Sequence, residues 1–412
     1  MTIALSIIIP THNRSASLRR LLARLEEQVG EDVEVIVVAD GCTDDTPALL
    51  KEQRSTYPFR FVLLPGLGAA AARNRGAEAA KGALLLFMDD DVEPSAGMIA
   101  AHRVVHDQSS EETVVIGYLP LGGPPRKDMF GLGLRAWWEN KFYQMSRPGH
   151  RFTFEDLLSG NFSLPARLYR AAGGFDESFD CREDYELGLR LIKLDACFVF
   201  SRTAWGYHRD EVTDQRRSLK RKRQEGRADI QFFRRYRELG AVLRESYFAP
   251  PLGRKRKLLA AATASAPMLT DLFAAMLYRL GRIAERLAFR RRWQSINFQL
   301  HLYWYLRGVL DELGSSRKFK AWLNTPATLK KQPLDADLSQ GLDHLMALVD
   351  EERPHALTLR YGATIVGTLA TQPGTERLRG RHLWPLIKKE LSSELLQAIT
   401  LHDETPLPTR MP

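Results

Sequence analysis

Hydrophobic positions in the first 120 residues alternate between continuous runs and sets at helical spacing. Four apolar runs, at 5–9, 33–39, 59–64 and 83–88, are typical of strands covered on both faces. Between them lie a leucine repeat at 18–25, a capped segment that begins at Thr46-Pro47 and an alanine-rich stretch at 69–81. Repeated strand–helix units predict an α/β fold with a mostly parallel, doubly wound sheet. Functional loops should follow the carboxyl ends of its strands.

The pattern changes after residue 118. A Gly/Pro-rich stretch with Trp137 and Trp138 is followed by regular signals at 160–194, and then by a long helical, basic segment. The tail predicts a helix at 338–349, a hairpin of 357–361 and 364–369, and a last helix at 383–399. We expect three units: a catalytic domain at 1–213 with halves 1–118 and 119–213, a basic helical region at 214–324, and a small α/β domain of unassigned role at 325–412.

The net charge of +9 is concentrated in one region. Residues 214–257 carry 15 Lys/Arg and 5 Asp/Glu, so the rest of the 412-residue chain is close to neutral. Such a segment indicates either a surface that meets phosphates or anionic lipid, or a solvated helix face. Nucleic acid is a poorer fit, because the nearby aromatics cluster instead of alternating with the cations.

The three cysteines and the first ten residues bear on location. Cys42, Cys181 and Cys197 are scattered, which excludes a disulfide framework or a zinc finger and favours a reducing compartment. The N-terminus enters a strand without a basic segment, so we expect no signal peptide and a cytoplasmic protein. Residues 258–280 are the one candidate membrane span. Pro267, Asp271 and Arg279 interrupt it, which favours an amphipathic helix at the inner membrane surface.

An aspartate triplet follows the fourth apolar run. Asp89, Asp90 and Asp91 repel one another unless a positive group lies among them. Mg²⁺ or Mn²⁺ bridging to substrate phosphates would supply it, with His208 as a further ligand. The alternative for the triplet is an acidic turn that caps the next helix. The alternative for His208 is a purely structural role.

Other polar groups follow the first three runs. Asp40 could accept hydrogen bonds from a nucleoside, or form an ordinary turn. The segment Pro10-Thr11-His12-Asn13-Arg14 offers backbone N–H groups, a ring and a cation to a nucleoside diphosphate. Gly66-Leu67-Gly68 starts a G-x-G-x-x-A match, but it follows the third run, so dinucleotide binding is not expected. Arg73 beyond it is interpreted as a diphosphate ligand, or as a solvated arginine.

Glu183 and Asp184 stand where a helix begins. Carboxylates there complement the helix dipole, a stabilisation of ~0.3–1 kcal/mol. The functional interpretation is a general base that takes a proton from an acceptor hydroxyl.

Together these segments resemble the family 2 glycosyltransferases. The matching stretches occur in the family's order over roughly the first 210 residues: SIIIPTHNR at 6–14, DGCTDDT at 40–46, AARNRGAEAAKG at 71–82, FMDDD at 87–91, GNFSLPARLYRAAGGFDE at 160–177 and REDYELGLRL at 182–191. The resemblance implies a GT-A nucleotide-sugar-binding fold and an inverting, metal-dependent transfer from a nucleotide-diphosphate sugar to a saccharide or lipid-linked hydroxyl.

The resemblance also implies a role for each matching residue. Asp89 and Asp91 occupy the D-x-D positions, with Asp91 on the metal and Asp89 and Asp90 on metal water or ribose. Asp184 matches the catalytic base, supported by Glu183, while Gly160 and Asn161 would border the acceptor. Basic helices follow the catalytic domain in many bacterial members, which suggests that residues 216–292 meet an anionic membrane.

Two other functions share parts of this pattern. A sugar nucleotidyltransferase would need a Gly-rich basic loop after the first run, which residues 11–17 lack. A catalytically silent nucleotide-sugar or polysaccharide-binding protein could keep the fold, yet every candidate catalytic position is filled. The donor sugar, the base and the acceptor are not specified by the sequence.

Overall fold

The fold is built around one eight-stranded sheet. The computed structural model describes residues 2–109, 112–123, 128–209, 214–239, 253–323, 332–370 and 373–403. The strands are β1 Leu5–Thr11, β2 Val33–Asp40, β3 Phe59–Leu64, β4 Leu84–Met88, β5 Val92–Pro94, β6 Thr113–Tyr118, β7 Asn161–Pro165 and β8 Cys197–His208. Their order is β3-β2-β1-β4-β7-β6-β8-β5. The four predicted strands are confirmed to within one residue at the start and two at the end.

Strand direction changes after the four parallel strands. Strands β3, β2, β1 and β4 are mutually parallel, as predicted. Strand β7 then pairs antiparallel with both β4 and β6. β1 and β2 are buried almost throughout, because helices cover both faces of this part of the sheet. The mixed direction brings the start of β7 beside the end of β4, where the aspartate triplet begins.

Seven helices of the described residues accompany the sheet. They are α1 Ser15–Leu25, α2 Thr46–Glu52, α3 Ala69–Ala79, α4 Met98–Gln108, α5 Met129–Met145, α6 Ala166–Ala172 and α7 Glu183–Lys193. The predicted leucine repeat of α1 is buried on one side, at Leu18, Leu21, Leu22 and Leu25. Helix α5 occupies the stretch that the sequence left unassigned.

The described residues within 214–323, namely 214–239 and 253–323, are mainly helical, as predicted. The helices are α8 Gln215–Arg235, α9 Gly253–Ser265, α10 Pro267–Arg286, α11 Arg290–Leu313 and α12 Ser316–Leu323. The stretch 258–280 is divided between α9 and α10, because Pro267 begins a new helix there. In the described ranges, no helix combines the length and apolar character that crossing a bilayer requires.

Several cations of α8 pair with acidic side chains of other elements. Arg223 Nε lies 2.6 Å from Asp311 Oδ2, and Arg234 Nη1 lies 2.6 Å from Glu312 Oε1, both on α11. Arg235 pairs with Asp176. Part of the positive charge of this helix is therefore used in docking it, although Arg234 and Arg235 stay about half exposed.

The C-terminal residues form a separate small α/β unit. Its elements are β9 Leu334–Asp337, α13 Leu342–Glu352, β10 Leu357–Tyr361, β11 Thr364–Leu369, α14 Gly380–Glu390 and α15 Ser392–Asp403. The predicted hairpin is confirmed as β10–β11. The prediction of one last helix at 383–399 was wrong: α14 ends at Glu390, and Leu391, with a φ of −133°, separates it from α15. The unit has its own apolar core.

Candidate active site

The predicted polar groups meet at one edge of the sheet. Since β2, β1 and β4 are parallel neighbours, Asp40, Thr11 and Asp89 end adjacent strands on the same side. Thr11 Oγ1 donates a 2.7 Å hydrogen bond to Asp90 Oδ2, joining the end of β1 to the triplet. The placement expected from parallel topology is what the structure shows.

Arg14 is the positive group that lies among the aspartates. Its Nη1 is 3.0 Å from Asp90 Oδ1 and also contacts Asp91 Oδ2. Burial, opposed by Arg14 and aided by the neighbouring carboxylates, raises the pKa of Asp90 to about 6. Asp91 differs: although burial opposes ionisation, His208 and Arg14 hold its pKa at about 2. The site thus keeps Asp91 as a permanent anion at neutral pH.

His208 is brought to Asp91 by strand pairing. β5 runs antiparallel to β8, and Val92 is the register partner of His208. Asp91 Oδ1 consequently lies 3.4 Å from Nε2 of His208. Asp89 is not part of this pair. Within the described part of the chain, no three His, Cys, Asp or Glu side chains are close enough together to hold a metal ion.

Asp89 turns instead towards Arg73, which joins the two predicted acidic sites. Arg73 Nη2 is 2.8 Å from Asp89 Oδ1, and its Nη1 is 3.0 Å from Glu183 Oε1. The guanidinium also lies 5.4 Å from the ring centroid of Phe175. The guanidinium of Arg73 therefore links the triplet to the start of α7. Arg73 itself is only 5% exposed, with both arms engaged by carboxylates; its role as a diphosphate ligand stays a prediction.

Asp184 lies in the first turn of α7. Its Oδ1 accepts the backbone N–H of Tyr185 at 2.9 Å. Burial, and then the charge of Glu183, raise its pKa to about 6, while Arg221 and Arg73 oppose the shift. A carboxylate that is ionised at pH 7 but has a raised pKa is suited to accept a proton.

Asp40 is held by the loop that follows β3. Its two oxygens accept the backbone N–H groups of Gly66, Leu67 and Gly68 at 2.9, 2.7 and 2.6 Å. A Cβ on Gly41 would lie 2.9 Å from the Cα of Gly66, so the two turns need glycine to pack together. The G-x-G segment therefore serves to bind Asp40, a contact that the motif comparison did not reveal.

The segment after β1 packs against the turn that follows Asp40. His12 Nδ1 lies 2.5 Å from the carbonyl oxygen of Asp40. Asn13 adopts a positive φ of 52°, and its Oδ1 accepts the backbone N–H of Thr43 at 2.7 Å. With Pro10 at the strand end, this turn presents its backbone beside the triplet. Binding of a nucleoside by these residues stays a prediction.

Gly160 and Asn161 border the triplet, but in different ways. Gly160 is pressed against it: the N–H of Asp89 donates to its carbonyl at 3.1 Å, and a Cβ would lie 2.9 Å from Asp89 Oδ2. The Asn161 side chain is buried, with Oδ1 2.8 Å from His102 Nε2 and Nδ2 donating to the carbonyl of Ala204 at 2.9 Å. Its polar atoms are thus used within the core, which is not where an acceptor-binding side chain would be.

Two side chains at this cleft were not predicted from the sequence. Trp138 of α5 stands edge-on to His208, with ring centroids 5.5 Å apart. Arg221 of α8 is the cation that most strongly opposes the raised pKa of Asp184. The adjacent tryptophans were visible in the sequence, but nothing local tied them to His208; Arg221 was one cation among many in a basic segment.

Comparison with known proteins relates the first part of the chain to a known family. Residues 6–148 match the family model described as Glycosyl transferase family 2. Over this part of its length, the chain is similar to that family. Over 235 residues it is 33% identical to validoxylamine A glucosyltransferase from Streptomyces hygroscopicus subsp. jinggangensis, an alignment that covers 49% of this chain and 54% of that protein. The chain thus spans about half the length of that curated relative.

Two further likenesses support the family and the fold. An uncharacterized glycosyltransferase of Haemophilus influenzae is 41% identical over 88 residues, which cover 21% of this chain and 29% of that one. A mannosyltransferase from Pyrobaculum calidifontis, solved with GDP-Man and Mn²⁺, superposes with a TM-score of 0.50 at 17% identity. That match covers 76% of this chain and 88% of the solved one, and at this identity it speaks for the fold alone. The chain has the GT-A fold.

Proposed function

We propose that this protein is an inverting glycosyltransferase that moves a sugar from a nucleotide-diphosphate sugar to an acceptor hydroxyl. The observation that carries the proposal is the bridge from Asp89 through Arg73 to Glu183. It joins the strand-end aspartates, suited to a diphosphate and its counterion, to the helix that carries a candidate base. A single displacement needs the diphosphate-binding groups and the base to lie on opposite sides of the same sugar.

Asp184 acts as the general base in this mechanism. It accepts the proton of the acceptor hydroxyl as that oxygen attacks the anomeric carbon, and the nucleoside diphosphate leaves from the opposite face. One displacement inverts the anomeric configuration. Arg14 lies at the aspartates, where the departing diphosphate accumulates negative charge, and can offset that charge. Asp90, bound to Thr11, orients the end of β1 towards the nucleoside.

The side chains at the triplet fit a divalent cation held jointly with the donor. Asp91 offers an ionised carboxylate and His208 an imidazole 3.4 Å away, a donor set compatible with Mn²⁺ or Mg²⁺. Diphosphate and water oxygens would complete the coordination, with Asp89 nearby. When bound, the ion supplies neutralisation of diphosphate charge. The protein's own part is to keep Asp91 ionised and His208 oriented.

A nucleotide panel tests this function. Thermal unfolding with nucleoside diphosphates and their sugars, each with and without Mn²⁺, should show a raised melting temperature for one base. The matching sugar donor should then support transfer with inversion. Asp184→Asn should retain that nucleotide shift but lose transfer by about 100-fold or more. Asp91→Ala should lose the metal-dependent part of the shift. An active Asp184→Asn variant would remove this residue from the mechanism.

The acceptor side of the cleft has an aromatic border. Trp137 is 49% exposed and packs edge-on against Trp138, which in turn reaches His208. Exposed indole rings are suited to stacking on sugar faces, which favours a saccharide acceptor or a saccharide carried on a lipid. Trp137→Ala should raise the KM for a saccharide acceptor while leaving nucleotide binding unchanged.

Peripheral attachment to the inner face of an anionic membrane is part of the same proposal, with α10 as its contact. Met268, Leu269 and Leu272 are 80%, 68% and 70% exposed, and Phe273 and Met276 continue this apolar face. The opposite face, with Thr270 and Ala274, is buried against the bundle. The arginines near its end, Arg279, Arg282, Arg286 and Arg290–Arg292, match the charge of anionic lipid headgroups.

Vesicle sedimentation tests this attachment. At low salt the protein should sediment with anionic vesicles and not with zwitterionic ones, and Leu269→Glu should abolish binding. Leu396→Glu, on the equally exposed Leu396 of α15, is the matched control and should bind like the original protein. Failure to sediment with anionic vesicles would refute the attachment. A dimer lost in Leu269→Glu would show that a second copy covers this face instead.

A further inference from the structure

The residue before the catalytic carboxylates has an unusual backbone. Arg182 is the N-cap of α7 and adopts the left-handed conformation, with φ 64° and ψ 24°. For a residue with a Cβ this costs on the order of 1 kcal/mol. The conformation sets the direction in which α7 begins, and so the direction of Glu183 and Asp184. Something outside the turn must stabilise it.

Two acids of α8 contact this arginine. Arg182 Nη2 lies 3.1 Å from Glu225 Oε2, and its Nε lies 3.1 Å from Asp229 Oδ1. Glu225 and Asp229 are one helical turn apart and therefore share a face of α8. The guanidinium also lies over the ring of Tyr185, 5.1 Å from its centroid. The side chain is thus held from α8 on one side and from α7 on the other.

The position of α8 is itself set by α11. Asp229 is 1% exposed and accepts a 2.7 Å hydrogen bond from the hydroxyl of Tyr305. Gly226 lies between the two acids, and a Cβ there would come within 2.2 Å of the Tyr305 carbonyl oxygen. A Cβ on Gly308 would come within 1.9 Å of a backbone oxygen of α8. The two helices meet backbone to backbone, so the acids have little freedom to move.

The rest of α7 is held by the end of the same segment. Tyr236 donates its hydroxyl hydrogen to Glu186 Oε1 at 2.6 Å, and its ring lies 4.3 Å from Nζ of Lys193. Lys193 also pairs with Glu238 at 2.9 Å. Contacts with residues 214–239 therefore occur at the start, middle and end of α7. The contacts of Arg182 lie immediately before the turn that carries Asp184.

We propose that Arg182 is a positioning residue: through its ion pairs with Glu225 and Asp229, the helical region holds the first turn of α7 so that Asp184 faces the cleft. This inference rests on the proposed transferase function, in which Asp184 is the base. It assigns to the helices after the catalytic domain a role in the reaction, separate from any contact of α10 with a membrane. It predicts that the full chain is needed for full turnover.

The decisive variant is Arg182→Gly. Glycine accepts the left-handed conformation without strain, so the substitution removes the guanidinium and leaves the turn possible. We expect kcat to fall about 10- to 100-fold, the scale of a catalytic group misplaced by about 1 Å, while the Kd for nucleoside diphosphate changes less than about twofold. Glu225→Gln should have a similar effect. The double variant should be no worse than the poorer single one, because both remove the same contact.

Asp311→Asn is the matched control. Asp311 pairs with Arg223 and Arg227 of α8 but makes no contact with Arg182, so its loss loosens the bundle alone. It should lower the melting temperature and leave kcat unchanged. If Arg182→Gly lowers the melting temperature but keeps kcat, the residue is merely structural. Equal losses of kcat in Arg182→Gly and Asp311→Asn would also overturn the proposal.

Hydrogen exchange separates this proposal from the assignment of the reaction. The amide of Glu186 donates to the carbonyl of Arg182 at 3.0 Å, so its protection reports on the first turn of α7. Arg182→Gly should speed exchange at Glu186 and not at Leu191, near the end of the helix. If the original protein lacks transferase activity, the proposed function fails while this test still applies. Unchanged exchange at Glu186 would refute the positioning role by itself.

Discussion

Replacing Asp184 with Asn should make the protein more stable at neutral pH as well as inactive. Burial and Glu183 raise the pKa of Asp184 from its ordinary 3.8 to about 6. Each unit of pKa corresponds to about 1.4 kcal/mol, so the ionised carboxylate costs the folded state roughly 3 kcal/mol above pH 6. Asparagine carries no charge and keeps an oxygen for the N–H of Tyr185.

The raised pKa of Asp184 determines how the free energy of unfolding changes with pH. The folded protein binds the Asp184 proton more tightly than the unfolded chain does, so stability falls as pH rises from about 4 to about 6 and is level above that. The stabilisation by Asp184→Asn should be near zero at pH 4 and complete at pH 7.5. Because 1 kcal/mol shifts the melting temperature of a large domain by about 2–4 °C, a rise of several degrees is expected.

Asp156→Asn provides a control of opposite sign. Although burial opposes ionisation, His150 and Lys141 hold the pKa of Asp156 at about 2. Its contribution is present above pH 4 and is lost as pH falls through 2, so Asp156→Asn should lower the melting temperature at pH 7.5. Scanning calorimetry of both variants between pH 4 and 7.5 gives the comparison. An Asp184→Asn protein no more stable than the original at pH 7.5 would refute the reasoning.

Three further substitutions test single contacts. Arg221→Met removes the strongest countercharge acting on Asp184, so the acidic limb of the kcat–pH profile should move to higher pH; an unmoved limb would contradict that electrostatic effect. Asn161→Ala leaves the buried polar partners of Asn161 unsatisfied, so it should lower the free energy of unfolding by ~1–3 kcal/mol. The KM for the acceptor should not change. A raised KM without destabilisation would return Asn161 to the acceptor site. Gly226→Ala should cost ~1–3 kcal/mol by overpacking, whereas Gly133→Ala, in open space, should not destabilise in thermal unfolding.

The start of the fold and the edge where chemistry occurs could be predicted from the sequence. The apolar runs of β1 to β4 are local signals, because a strand covered on both faces needs consecutive hydrophobic residues. Parallel pairing then places whatever follows each strand at one edge. Asp40 and the aspartate triplet were found this way, and Asp184 was recognisable because it opens an amphipathic helix.

The partners of these side chains could not be predicted in the same way. Arg14 pairs with Asp91 across 77 residues, and Arg73 joins Glu183 across 110. The G-x-G segment matches a dinucleotide motif, whereas its N–H groups bind Asp40. The basic segment indicates either a charged surface or a solvated helix face, and neither shows that several of its arginines pair with acids of other elements. A charged side chain has no periodicity that points to its distant partner.

What the sequence by itself determined, therefore, was the order of strands and helices in the first half and the acidic edge, since both follow from neighbours along the chain. The tertiary structure alone decided which charges meet, how β7 turns antiparallel beside β4, and that α8 and α11 reach back to Arg182. Those outcomes depend on burial and on ion pairs between residues far apart in the chain, whose energies exist only once the helices and the sheet have packed together.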